Sequence, residues 1–153
     1  MAIFLVQHGK SLSKEVDSER GLSEQGKEDT ARIADTARHY GIPVSRIDHS
    51  GKRRALQTAE IFASALDPEG GIMERRGLNP LDDVTELADK IAGLDNLMLV
   101  GHLPFMERLA SYLVIGSVEK KIFKFQNSGI LCLDQDPENQ AWFIKWSLMP
   151  DIL

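Results

Sequence analysis

Two short apolar segments, each followed by a histidine, constrain the fold of this chain most. Ala2–Val6 is continuously apolar and is followed within two residues by His8; Leu97–Val100 is a second apolar run and precedes His102 in the same way. Apolar runs of this length are typical of parallel strands that are buried on both faces. The carboxyl ends of such strands face the ligand crevice of an open α/β sheet. The sequence therefore predicts that both histidines stand where a ligand binds.

The rest of the chain alternates between helical and strand patterns. The predicted helices cover 23–40, 53–66, 82–94 and 105–113, and the predicted strands cover 2–6, 46–49, 96–101, 130–133 and 142–146. This order predicts a single α/β domain over 1–153, a three-layer α/β/α sandwich whose sheet is mostly parallel with an antiparallel edge. Trp142 and Trp146 are an even number of positions apart, so they are predicted to pack on one side of the last strand.

The composition excludes several classes of function. The chain has 153 residues and a net charge of −5, which disfavours general nucleic-acid binding and a membrane-surface role. Its one cysteine, Cys132, lies in an apolar run, so we expect a buried structural thiol and no intramolecular disulfide. No apolar stretch approaches the roughly 20 residues of a membrane span. No basic segment precedes the first apolar run, so we expect no signal peptide and a cytoplasmic protein.

Four motifs occur in a fixed order along the chain. They are Gln7–Gly9, Leu22–Gly26, Ser50–Thr58 and Gly101–Pro104. In this order they resemble the Arg-His-Gly, Leu-Thr-x-x-Gly, Ser-Pro-x-x-Arg-Ala-x-x-Thr and Gly/Ser-His-x-Pro motifs of the histidine phosphatase (phosphoglycerate mutase-like) superfamily. The shortness of the chain resembles the SixA-type phosphohistidine phosphatase branch most.

The resemblance implies a phosphatase that works without a metal or another cofactor. His8 is then the nucleophile that becomes phosphorylated, and His102 is the second histidine of the pocket. Arg54 binds the phosphoryl oxygens, because a guanidinium offers two parallel donors. No carboxylate–histidine spacing typical of a metal site is evident. The implied partner is a phosphorylated substrate, either a phosphohistidine protein or a small molecule, with no nucleic acid and no membrane involved.

Gln7 departs from the family pattern, which has an arginine there. A neutral amide binds phosphate less strongly than a charged donor, by roughly 1 kcal/mol. Arg20 is expected to compensate, with Ser11 and the backbone N–H of Gly9 as further phosphate donors. Gly51 replaces the proline of the third motif, which affects only the shape of the turn. The alternative function is a phosphate- or phosphoprotein-binding module whose catalysis weakened when Gln7 replaced the arginine.

The proton donor for the leaving group is not identified by any motif. Four carboxylates lie in the relevant region: Glu74, Asp82, Asp83 and Glu86. A phosphoramidate has a good leaving group once its nitrogen is protonated, and it therefore needs less help from an acid. The remaining histidines, His39 and His49, have no motif support and are interpreted as structural or solvated.

Overall fold

Strands and helices alternate along the chain as the sequence predicts. The computed structural model describes residues 1–153. Its strands are β1 (Ala2–Gln7), β2 (Arg46–His49), β3 (Ile72–Glu74), β4 (Leu97–Gly101), β5 (Ile130–Gln135) and β6 (Trp142–Leu148). Its helices are α1 (Glu24–His39), α2 (Arg53–Leu66), α3 (Val84–Ile91) and α4 (Phe105–Ile115).

All six strands lie in one sheet, in the order β3-β2-β4-β1-β5-β6. β1 and β4 are parallel neighbours, with Ile3 opposite Leu97, and β2 is parallel to both β4 and β3. β5 runs antiparallel to β1 and to β6. The predicted mostly parallel sheet with an antiparallel edge is therefore confirmed.

Two helices cover each face of the sheet, which confirms the predicted three-layer sandwich. On one face, Phe4 and Val6 of β1 pack in a core with Phe62 of α2. On the other, Ile3 and Leu5 pack in a core with residues of α3 and α4. Successive side chains of a strand point to opposite faces, so β1 contributes to both cores. Full burial of a large apolar side chain stabilises the fold by about 1.5–3 kcal/mol, which anchors β1 firmly in the middle of the sheet.

The chain leaves β1 and β4 toward opposite faces. α1, which follows β1, packs in the core that contains Phe4, whereas α4, which follows β4, packs in the core that contains Leu5. Adjacent parallel strands whose connections diverge in this way leave a crevice beyond their carboxyl ends. The fold therefore creates a ligand crevice at the two strand ends that carry the histidines.

Local sequence signals explain where the helices begin and end. The Ser23 hydroxyl caps α1 by accepting the N–H of Gly26 at 3.0 Å. Asp83 caps α3 in the same manner, and Ala92 leaves the helical conformation. The helix predicted over 82–94 is therefore shorter than expected. No helix of the structure combines the length and the apolar character that crossing a bilayer requires.

β3 was not predicted, because three residues are too few to show an alternating pattern. Its central residue, Met73, is exposed, and Ile72 is only partly buried. The strand is defined by its parallel pairing with β2 at the edge of the sheet, a contact that is long-range in sequence.

The prediction that Trp142 and Trp146 face one side is wrong. Trp146 lies opposite Cys132, but Ile144 lies opposite Leu133, so Lys145 is an extra residue that forms a β-bulge. One inserted residue reverses the side-chain alternation beyond it. Trp142 therefore packs against the core of α3 and α4, and Trp146 packs against the core of α1 and α2.

Candidate active site

The two histidines predicted at strand ends meet in the crevice between β1 and β4. The backbone N–H of His8 donates to the carbonyl of Gly101 at 2.9 Å, which continues the pairing of the two strands by one residue. His102 follows Gly101 directly. The imidazole rings of His8 and His102 have centroids 5.0 Å apart. The parallel register of β1 and β4 thus brings together two side chains that are far apart in sequence.

His8 is held as a neutral imidazole with one free nitrogen. Its Nδ1 lies 2.7 Å from the Gly9 carbonyl oxygen; a carbonyl only accepts, so Nδ1 carries the proton. Burial lowers the pKa of His8 to about 4 against the opposing effect of that hydrogen bond, and the charges of Arg54 and Arg20 lower it further. Nε2 therefore presents its lone pair at neutral pH, as a nucleophile requires.

His102 is almost fully buried, at 2% exposure, and contacts Ser50. Its Nε2 lies 2.6 Å from the Ser50 hydroxyl oxygen, which also accepts a long hydrogen bond of 3.4 Å from the Lys52 backbone N–H. We assign the hydroxyl proton to the hydrogen bond with Nε2, so that the ring proton lies on Nδ1. Burial, followed by the nearby charges, lowers the pKa of His102 to about 3. The side chain is a neutral donor.

Arg54 lies in the first turn of α2, and a hydrogen-bonded threonine ties this turn to β1. The Thr58 hydroxyl donates to the Arg54 carbonyl at 2.7 Å and accepts the N–H of Gly9 at 2.9 Å. The charge of Arg54 contributes to the lowered pKa of both pocket histidines. The neighbouring Arg53 is instead exposed and pairs with a surface glutamate.

Three buried side-chain polar atoms in the molecule have no hydrogen-bond partner, and all belong to the predicted site residues. They are Gln7 Oε1, Arg54 Nε and His102 Nδ1. Leaving a buried polar group unpaired costs about 1–3 kcal/mol. Folded proteins rarely tolerate this cost without a functional reason. A ligand rich in acceptor oxygens would satisfy the N–H groups of Arg54 and His102, whereas Gln7 Oε1 is itself an acceptor and needs a donor.

Gln7 adjoins His8 at the end of β1. Its carbonyl accepts the N–H of Ser128, and the side chain of Asn127 donates to the carbonyl of His8 at 2.8 Å. The segment before β5 thus holds the end of β1 in place. The Gln7 side chain contributes an amide and no charge at this position.

A tight turn presents Arg20 to the site. Arg20 has a positive φ of 53°, a strained conformation for a residue with a side chain. The Asp17 carboxylate accepts the N–H groups of Gly21 and Glu19, which fixes the turn and lowers the pKa of Asp17. Arg20 Nη2 lies 3.4 Å from the Ser11 hydroxyl, and its charge lowers the pKa of the pocket histidines.

The prediction that the Gly9 N–H binds phosphate needs correction, because this N–H is buried and donates to Thr58. Gly9 packs tightly against the hydroxyls of Thr30 and Ser128. Gly26 has a clearer requirement: a Cβ there would collide with the Lys10 carbonyl. The glycine of the second motif therefore lets the loop after β1 lie directly on α1.

The sequence did not identify the partners of Ser50 and Thr58, although both residues belong to the third motif. The Ser50 hydroxyl contacts His102 and the Thr58 hydroxyl contacts Gly9. These contacts depend on the pairing of β2 with β4 and on the packing of α2, so they carry no signal in a single sequence.

Of the four candidate carboxylates, Glu74 lies beside the turn that carries Ser50. Its carboxylate covers the Cα of Gly51, next to Ser50. Asp82 and Asp83 instead accept backbone N–H groups around the start of α3. No group of three or more His, Cys, Asp and Glu side chains is arranged to hold a metal ion.

Solved structures similar to this chain include phosphatases. The protein histidine phosphatase SixA, solved with tungstate, has a TM-score of 0.85 at 24% identity, with 98% of this chain and 97% of that chain covered. A candidate phosphohistidine phosphatase SixA from Agrobacterium tumefaciens has a TM-score of 0.78 at 25% identity, with 97% of each chain covered. The alpha-ribazole phosphatase from Shigella flexneri has a TM-score of 0.79 at 14% identity, with 99% of this chain and 98% of that chain covered.

The chain therefore has the α/β fold of the histidine phosphatase (phosphoglycerate mutase-like) family. Within that family, SixA phosphohistidine phosphatases are among its structural neighbours, as the order of the four motifs predicts. No protein-family model and no curated protein sequence matches the chain.

Proposed function

We propose that the protein is a phosphatase that forms a phosphohistidine on His8. The convergence of unpartnered polar atoms on a neutral histidine carries this proposal. Arg54 Nε and His102 Nδ1 have no hydrogen-bond acceptor within the protein, and the oxygens of a phosphoryl group would supply acceptors. The transition state of phosphoryl transfer spreads negative charge over those oxygens, and Arg54 and Arg20 supply positive charge beside them.

The reaction proceeds in two displacements. His8 Nε2 attacks phosphorus, and the N–P bond forms as the bond to the leaving atom breaks; the leaving atom takes the electron pair and a proton. Water then adds to phosphorus, inorganic phosphate leaves, and the electron pair of the N–P bond returns to Nε2. The His8 Nδ1–H, held by the Gly9 carbonyl, stabilises the positive charge that the ring acquires.

We assign Glu74 as the proton donor for the leaving group, because it lies beside the Ser50–Gly51 turn. An alkoxide needs this proton, whereas the imidazole of a phosphohistidine leaves readily once its nitrogen is protonated. Because Glu74 is exposed, the site favours a substrate whose leaving group needs little protonation by the enzyme. We therefore propose protein phosphohistidine as the preferred substrate, and small phosphomonoesters as slower ones.

Gln7 supports a second candidate function. With an amide at this position the site has one charged donor fewer than the family pattern, so binding of a phosphorylated group without turnover is the alternative. The two functions differ in whether inorganic phosphate is released and in whether His8 becomes labelled.

Phosphate release from a phosphohistidine protein and from an aryl phosphate, with and without a chelator, tests the proposal. The wild type is expected to release phosphate in both conditions and to yield an acid-labile, base-stable label. His8→Ala is expected to lose label and activity, whereas the matched variant His39→Ala, at an exposed histidine of α1, keeps both. Activity in His8→Ala, or reversible loss on chelation, would exclude the mechanism. Tight phosphate binding without release would establish the binding module.

A further inference from the structure

A third histidine, outside the phosphate pocket, organises the turn that follows β2. His49 ends β2 and is 5% exposed. Its Nδ1 accepts the N–H of Gly51 at 3.1 Å. Gly51 has a φ of +89°, and a Cβ there would collide with the carboxylate of Glu74. The positive φ favours glycine at position 51, and the His49 ring supplies an acceptor for the N–H of this turn.

The hydrogen bond determines the protonation of His49. Because the Gly51 N–H donates, Nδ1 carries no proton and the ring is neutral, with its proton on Nε2. The charged side chains around it are Glu74 on β3, Glu60 on α2, and Asp48 on β2 with its ion-pair partners Arg46 and Arg75. Burial lowers the pKa of His49 more than these carboxylates raise it.

Ser50 lies between the two residues of this hydrogen bond and contacts the pocket. Its hydroxyl reaches His102 Nε2 at 2.6 Å, and this contact leaves the His102 proton on the unpartnered Nδ1. We propose that His49 is a positioning residue: by accepting the Gly51 N–H it aims the Ser50 hydroxyl at His102 and so keeps a donor directed at the phosphoryl group. This role rests on the proposed phosphatase function.

Protonation of His49 would release the turn. A charged imidazole presents N–H groups at both nitrogens, so Nδ1 would then face another donor, the Gly51 N–H. The Ser50 hydroxyl would lose its fixed direction, and His102 would lose the group that selects its tautomer. His49 thus adds an acidic limb to the pH profile, besides the limb that His8 produces near pH 4.

A double-mutant cycle between His49→Leu and Ser50→Ala tests this connection. Each single variant is expected to lower kcat for an aryl phosphate about fivefold to tenfold with little change in KM, and the double variant to be no worse than Ser50→Ala. Losses that multiply would overturn the proposal.

His49→Asn keeps an acceptor at the position of Nδ1 but does not titrate, so it should retain kcat within about twofold and lose the additional acidic limb. An Asn variant as impaired as the Leu variant would also overturn it.

Tautomer measurement by two-bond ¹H–¹⁵N spectra of the free protein separates this inference from the proposed function. The wild type is expected to show His102 protonated at Nδ1 and His49 at Nε2. His49→Leu is expected to show His102 in mixed tautomers, and His39→Asn to be unchanged from wild type. A His102 tautomer that does not respond to His49→Leu overturns the positioning role even in an active enzyme. An inactive wild type whose tautomers respond as expected would refute the phosphatase and leave the positioning role supported.

Discussion

The two ends of the sheet differ in how their polar groups are satisfied. At the amino end, a cavity of about 630 Å³ lies between the loop after α1 and β6, lined in part by Phe4, Tyr40 and Trp146. One of its two carboxylates, Asp134, is bound by the chain's amino terminus at 3.0 Å and by Lys145 at 3.3 Å. At the carboxyl end, polar atoms are buried without partners. The Asp134 carboxylate in the cavity is paired within the protein, whereas the histidine site leaves buried polar atoms without partners.

The pKa values show the same difference. Burial acts to raise the pKa of Asp134, but the hydrogen bonds of the amino terminus, Gln135 and Lys145 outweigh it and hold the pKa below its usual range. Burial lowers the pKa of His8 and of His102, and there the nearby charges act in the same direction. At the amino end, hydrogen-bond partners favour the charged form of Asp134. At the carboxyl end, burial and nearby positive charges favour the neutral imidazoles of His8 and His102.

Arg54→Ala should produce the largest kinetic effect among the following changes at the carboxyl end. Removal of one preorganised charged donor lowers kcat/KM by about 10²–10³-fold. Arg53→Ala is the matched control, because Arg53 begins the same helix but is exposed and pairs with Glu19. Kinetics with an aryl phosphate check both variants; equal losses would show that general positive charge, and not the position of Arg54, matters.

Glu74→Gln should separate substrates by their leaving groups. Loss of a general acid costs about 10²-fold where an alkoxide must be protonated, so an alkyl phosphate should be affected strongly. An aryl phosphate or a phosphohistidine protein should be affected far less. Asp83→Asn, at the cap of α3, is the control, and a uniform loss on all substrates would assign Glu74 a purely structural role.

Gln7→Arg should improve the site. A charged donor exceeds a neutral one by roughly 1 kcal/mol, so kcat/KM is expected to rise about fivefold to tenfold. Steady-state kinetics and phosphate affinity measure the change. Unaltered values in a folded variant would indicate that Arg20 already fills the role of the missing arginine.

Low pH should destabilise the carboxyl end. The pKa of His8 is about 4 in the folded protein against 6.5 ordinarily, so the unfolded state binds more protons between these values. The free energy of unfolding should therefore fall as pH drops through this window. Urea unfolding of wild type and His8→Gln across the window measures the effect, and the variant should show a shallower decline. Parallel curves would show that His8 is not buried as a neutral ring.

Trp146→Ala should leave the kinetics unchanged. The side chain packs on Phe4, with ring centroids 6.0 Å apart, and is partly buried. Its removal is expected to cost about 2–3 kcal/mol of unfolding free energy. Calorimetry and aryl phosphate turnover test the pair of expectations. A change in kcat would mean that the two ends of the sheet are energetically coupled.

Strand ends and motif order were sufficient to predict most of the architecture and to bring His8, Arg54 and His102 to one crevice. Apolar runs and helix caps are local signals, so β1, β2 and α2 were predicted nearly to the residue. β3 and the bulge at Lys145 depend on pairing between distant segments and were missed. The same limit applies at the site: Gly9 was assigned a free N–H because its partner, Thr58, is remote in sequence.

The bulge at Lys145 also bears on how the molecule behaves among its own copies. β6 is the outer strand of the sheet, and its free backbone groups are a template for another strand. The extra residue interrupts the regular spacing of those groups and adds local twist. The bulge therefore interrupts the ladder that a second strand could form along β6, beside the exposed Phe143 and Ile144.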